Sequence, residues 1–259
     1  MKRRILRKLI PWLTLGFGLV GLLLRITMYD RCIDGRDLLI RDNPYHLVTW
    51  GLTVLVAAVL IPALRPLDGP NDYRYNFWPS IPAAGAALLA AGGLFVTAVQ
   101  ADFYPLDTLT MLWRGAAFLA SAALAIIGIC RGVGKRPFFL LYAMVSAFFA
   151  LHLANQYRIW SGNPQSPDYS FQLLACIFIL RFAYHLTAFA ADTGKRRGQL
   201  FAGLMGAYLC CLAVARTDTL WLYPGCGLWL LADLCTLTPP RRRHTEQTAD
   251  GEQPSEEVA

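Results

Sequence analysis

Eight apolar stretches, each near the twenty residues that a helix needs to cross a bilayer, fill most of this chain. They run over Leu9–Met28, His46–Leu64, Phe77–Gln100, Asp107–Cys130, Pro137–Gln156, Ser170–Ala191, Gln199–Ala215 and Thr219–Leu237. An unpaired backbone N–H or C=O is too costly in hydrocarbon to leave open, so each stretch has to be helical. The segments between them are short, apart from Tyr29–Tyr45, and leave no room for a second folded unit. The expected fold is therefore all-α: one polytopic membrane bundle over residues 1–238, about eight transmembrane helices in four hairpins. Residues 239–259 are polar and broken by proline, and read as a disordered cytoplasmic tail.

Composition agrees. Charged residues make up 16% of the chain, whereas a water-facing globular surface needs roughly a quarter. The missing polar surface implies contact with lipid. A net charge of +7 would by itself suit nucleic acid, but the basic residues sit in short clusters between apolar runs and form no basic face. No nucleic-acid partner is expected. The first stretch follows a basic start (Lys2, Arg3, Arg4, Arg7, Lys8), is long enough to span, and has no small-x-small site after it. It reads as a retained span and not as a cleaved leader.

Placing the N-terminus inside puts sixteen of the lysines and arginines that flank the spans in cytoplasmic segments and five in external loops, with every lysine inside. That asymmetry predicts both ends in the cytoplasm, with a bacterial plasma membrane as the expected location. Small residues predict close helix packing in the third and fourth stretches, around Gly85, Gly92, Gly93 and Gly115, which are expected to be central. Asp107-Thr108-Leu109 and Asp218-Thr219-Leu220 open two stretches alike, a faint echo of a four-plus-four repeat that helix capping explains equally well. None of the seven cysteines forms a Cys-x-x-Cys pair, so they read as small apolar fillers.

Three groups of residues are candidates for function. Arg181 lies in the middle of the sixth stretch, with His185 one turn on along the same face. A charge at that depth demands a partner or a wet cavity, and Asp233 is the carboxylate well inside a span. Arg181 and Asp233 are thus expected either to pair or to frame an anion site. Pro224, Gly225 and Gly227 predict a broken eighth helix of the kind that exposes backbone groups to a ligand. His152, Asn155 and Arg114 lie near the outer boundary and suggest a second polar pocket.

Several chemistries find no footing. No lysine lies inside a span to carry a Schiff base, and there is no His-Glu-x-x-His, no Gly-x-Ser-x-Gly and no phosphate loop. No metal and no cofactor is expected, and no catalytic set is assigned. The expected role is small-solute transport or ligand binding within the bundle, on residues Arg181, His185, Asp233, Pro224, Gly225 and Gly227. The alternatives are a sensor or assembly subunit acting through a membrane partner, and then an enzyme acting on lipid. The partners in view are the lipid bilayer, a small-molecule ligand and a partner subunit.

Overall fold

The computed structural model describes residues 2–32, 44–67, 69, 71–100, 108–161, 166–215 and 221–237. The Asp107 and Asp218 echo, the tail from Pro239 and most of the Tyr29–Tyr45 loop lie outside these residues. The described chain is helical: α1 Lys2–Arg31, α2 Pro44–Leu64, a one-turn α3 Tyr73–Asn76, α4 Ile81–Val99, α5 Thr108–Val133, α6 Phe139–Trp160, α7 Ser166–Ala190, α8 Arg196–Ala213 and α9 Leu222–Cys235. Among the described residues the sole β pairing is an isolated bridge between Phe77 and Leu237.

Six of these helices, α1, α2, α4, α5, α6 and α7, are long and apolar enough to cross a membrane. Their outer faces carry Trp12, Leu23, Val54, Leu89, Leu112 and Ile129, all exposed. In water such a surface would be a large liability, and against acyl chains it is the ordinary outcome. The protein is a membrane-embedded helical bundle.

The most enclosed helix is α8, not the α4–α5 pair. Within α8 only Arg197 is exposed, whereas α4 exposes Leu88, Leu89, Phe95 and Val99. Small residues explain how α8 is surrounded. A Cβ on Gly18 would lie 3.0 Å from Cys211 Sγ, one on Gly203 2.8 Å from Phe182 and Leu234, and one on Gly227 3.1 Å from Cys210 Cβ. Helices α1, α7 and α9 thus close on α8 almost to backbone contact. The alanines and glycines of α4 work on two sides only, where Gly128 of α5 meets Ala84 and Gly225 of α9 meets Leu89 and Ala90. Ser121 seals the first contact by donating to the Ala91 carbonyl at 2.8 Å.

Helix α9 is not broken. Pro224 is its third residue, where a backbone N–H has no carbonyl partner within the helix in any case. Gly225 and Gly227 are flat contact points for α4 and α8, not hinges.

Asp233 does not pair with Arg181. Its partner is Arg131 of α5, whose Nη2 donates to Asp233 Oδ1 at 2.7 Å, with both side chains buried. The same Nη2 donates to Thr236 Oγ1 at 2.8 Å, Nη1 donates to the Tyr73 hydroxyl at 3.4 Å, and the guanidinium lies 4.7 Å over the Phe77 ring. Arg181 is exposed on α7. Depth explains the mismatch: Arg181 stands nine residues before the last residue of α7, whereas Asp233 sits at the level of the last turn of α5.

Two outcomes follow. Removing one member of the buried pair, in Arg131→Leu or Asp233→Leu, leaves an uncompensated charge and should cost about 3–5 kcal/mol, read as a lower unfolding midpoint in detergent. The double variant should recover much of it. At the α4–α9 contact, Gly225→Ala should destabilise by about 1–3 kcal/mol, because its Cβ would sit 3.0 Å from Ala90 Cα and the Leu89 carbonyl. Gly85→Ala, where no atom lies within 4 Å, should be neutral or gain up to about 1 kcal/mol from helix propensity.

Candidate functional site

One end of the bundle gathers the turns around residues 65–80, 133–138, 190–196 and 235–237, and it is rich in basic side chains. Two helices end there with matching geometry. After α5, Gly134 takes φ 76° while the Lys135 amide bonds back to the Cys130 carbonyl at 2.8 Å. After α7, Asp192 takes φ 56°, the Asp192 amide donates to Phe189 O and the Thr193 amide to Ala188 O. Both are Schellman closures, and Asp is among the few residues with a side chain that tolerate the left-handed position.

That turn aims the Asp192 carboxylate at two donors. The Tyr73 amide reaches Oδ1 at 3.0 Å and Arg136 Nη1 reaches Oδ2 at 2.9 Å. Arg136 also donates to the Ala190 carbonyl. The Tyr73 amide and then Arg136 hold the Asp192 carboxyl below its ordinary value. A second tie is formed by Arg196, whose Nη1 donates to Asn76 Oδ1 at 3.0 Å while its stem lies against Gly69. The link between α2 and α4 is thereby strapped across the ends of α5, α7 and α8.

Beside this strap lies a groove of about 560 Å³ between α2, α7 and α8. Its wall carries Arg181 and His185 from α7, Lys195 and Arg197 at the start of α8, and Asn71 from the strap; Ile61, Leu64 and Phe201 make the apolar side, with Gly198 between. No carboxylate lines it among the described residues. The side chains of Arg181, Lys195 and Arg197 make no hydrogen bond or ion pair with any described residue. Gly198 is needed here for its missing side chain. A Cβ would lie 2.7 Å from His185 Nε2, so only glycine lets the imidazole lie against the α8 backbone. Arg181 stands nine residues before the last residue of α7, about 14 Å along the axis at ~1.5 Å per residue. The cations therefore run from the end of the bundle inward along one flank.

Chemically, two guanidiniums, an ammonium and an imidazole suit a phosphate or carboxylate, which arginine can bind in bidentate fashion. Among the described residues, the lining carries no thiol, hydroxyl or carboxylate beside His185.

Of the sequence candidates, then, Arg181 and His185 come together. Asp233 serves the ion pair with Arg131, and Pro224, Gly225 and Gly227 serve helix packing. His152, Asn155 and Arg114 lie toward the opposite end. There Trp113 Nε1 donates to His152 Nδ1 at 2.8 Å, and His152 stacks on Phe148 with an interplanar angle of 17°. Because indole is only a donor, the ring proton of neutral His152 is assigned to Nε2. Asn155 is buried and accepts from Arg158 at 3.3 Å, while Arg114 is half-buried beside Trp113. Lys195, Arg197 and Asn71 were not foreseen as site residues, because they read as loop polarity. The signal that finds them is the tight turn 191–195, which folds the start of α8 back beside His185.

Comparison with family models, with curated proteins and with solved structures gives no match.

The strap makes a pH prediction. A carboxyl held below its ordinary value stabilises the folded state above about pH 4, and that contribution is lost as pH falls through the lowered value. Wild type should be more stable than Asp192→Asn at neutral pH. The gap should close in strong acid, as followed by thermal unfolding across a pH series.

Proposed function

We propose that this chain is an eight-span protein of a bacterial plasma membrane, with both ends in the cytoplasm, that binds an anionic ligand in the groove between α2, α7 and α8. One observation carries the ligand: Arg181, Lys195 and Arg197 converge with His185 on a groove where no described carboxylate or other described residue pairs with them. A lone arginine facing hydrocarbon costs about 2.5–3.5 kcal/mol on insertion scales. A bound anion removes that penalty, whereas a carboxylate of the chain neutralises Arg131 directly. Binding is favoured over passage through the bundle, because the groove lies on the flank and includes the exposed Ile61, Arg181 and Arg197.

The topology rests on charge. Sixteen of the basic residues flanking the apolar stretches, all four lysines among them, fall in the segments assigned to the cytoplasm. Counting α8 and α9 as spans adds two helices shielded by their neighbours to the six apolar ones.

Two measurements test this. Native mass spectrometry of the protein drawn from its own membrane should find an anionic molecule, with occupancy at least about tenfold lower in Arg181→Gln. Equal occupancy in the variant would remove the groove from consideration. In a cysteine-free background, Thr193→Cys should react with an impermeant maleimide only in inverted vesicles, and Ser161→Cys only in right-side-out ones. Both positions are exposed. The reverse pattern would refute the assigned orientation.

A further inference from the structure

We infer that the occupant of the groove is an anionic phospholipid of the cytoplasmic leaflet, its phosphate held by Arg181, Lys195 and Arg197 and its acyl chain laid on Ile61, Leu64 and Phe201. This rests on the anion-binding reading above and narrows it to one ligand class.

The argument starts from the two halves of the wall. The cations cluster along α7 and the beginning of α8, and the apolar residues come from α2 and the next turn of α8. A free anion would satisfy the first half and strand its hydration against the second. An amphiphile satisfies both. Arg181, the innermost cation, is reached from the side, because it is exposed on a helix whose neighbouring outward residues Ile177 and Tyr184 are also exposed. The lipid-facing flank of α2 continues beyond Ile61 through Val54 and Leu47, two further turns each on the same face, a surface long enough to follow a chain into the bilayer. Charge selects among lipids. Basic pockets between helices on the cytoplasmic side recognise anionic head groups, and juxtamembrane Lys and Arg are drawn to the same leaflet. Among the described residues the groove has three cations with no ion-pair partner and no lining carboxylate, which disfavours a zwitterionic head group, whose ammonium would meet like charge. Asn71 adds a neutral donor and acceptor at the mouth, in position for a head-group hydroxyl.

The test uses the full chain in a non-ionic detergent, with native mass spectrometry and thermal unfolding as readouts. The probes are dioctanoyl phosphatidylglycerol, dioctanoyl phosphatidylcholine, glycerol 3-phosphate and inorganic phosphate. Phosphatidylglycerol should bind at least tenfold more tightly than the other three and raise the unfolding midpoint. The triple variant R181Q/K195Q/R197Q should lose that preference. Gly198→Val, which displaces His185, should weaken it. Should the triple variant fail to fold, Arg197→Gln, at the only exposed position of α8, gives the same comparison on an intact bundle. If glycerol 3-phosphate or inorganic phosphate binds as tightly as the lipid and Arg181→Gln abolishes it, the anion reading stands and the lipid assignment falls. If phosphatidylcholine binds equally and the variants change nothing, the groove is merely apolar, and both fall. Both fall as well if no probe binds.

Discussion

The salt bridge between Arg131 and Asp233 joins the last turn of α5 to the last turn of α9, and the basic end of the bundle is organised around it. Neither charge is tolerable alone at that burial, so the two helices have to stop at the same level. The shared guanidinium then fixes what lies over it. Tyr73 and Phe77 pack on or bond to Arg131, and Phe77 forms the isolated bridge to Leu237. The strap from α2 to α4 is thereby seated. Once seated, it presents its Tyr73 amide to Asp192 and its Asn76 amide oxygen to Arg196. Asn71, on the same segment, becomes the rim of the groove.

The arginines of this end divide into two populations, and the division is what gives the site its character. Arg131, Arg136 and Arg196 are each matched to a carboxylate, carbonyl or amide oxygen supplied by the chain. Arg181 and Arg197, with Lys195, make no hydrogen bond or ion pair with any described residue. Electrostatic balance in the first set sets geometry and rigidity. The second set carries unbalanced charge, and it lies on surfaces that the first set holds in place.

Much of the fold can be read in the sequence because span length, charge bias and small-residue patches are one-dimensional signals. The six apolar helices fall where hydropathy puts them, and α9 occupies the last apolar stretch. What could not be read are relations across helices. Asp233 was free to pair with any buried cation, and only the levels at which α5 and α9 end select Arg131 over Arg181. Pro224 with two glycines looks like a break until its position within the first turn is known. Glycine-rich α4 looks central, yet its small residues serve two neighbours, whereas the more polar α8 is enclosed by all of its own. Half of the candidate site, Arg181 and His185, was legible from the cost of a charge at depth. The other half, Lys195 and Arg197, was hidden in what reads as ordinary positive-inside bias.

The enclosure of α8 also bears on how the protein is made. Insertion machinery judges a nascent segment by its own transfer free energy, and α8 opens with Arg196, Arg197, Gly198 and Gln199 and is not among the helices that qualify by apolarity. Its glycine and alanine faces gain their partners only when α1, α7 and α9 are at hand, and α9 is the last of these to leave the ribosome. The close packing of α8 is therefore tied to the synthesis of α9. Until then the small-residue faces of α8 lack the neighbours that cover them. A product truncated after α8 would carry an intact groove in sequence and no means of holding it in place.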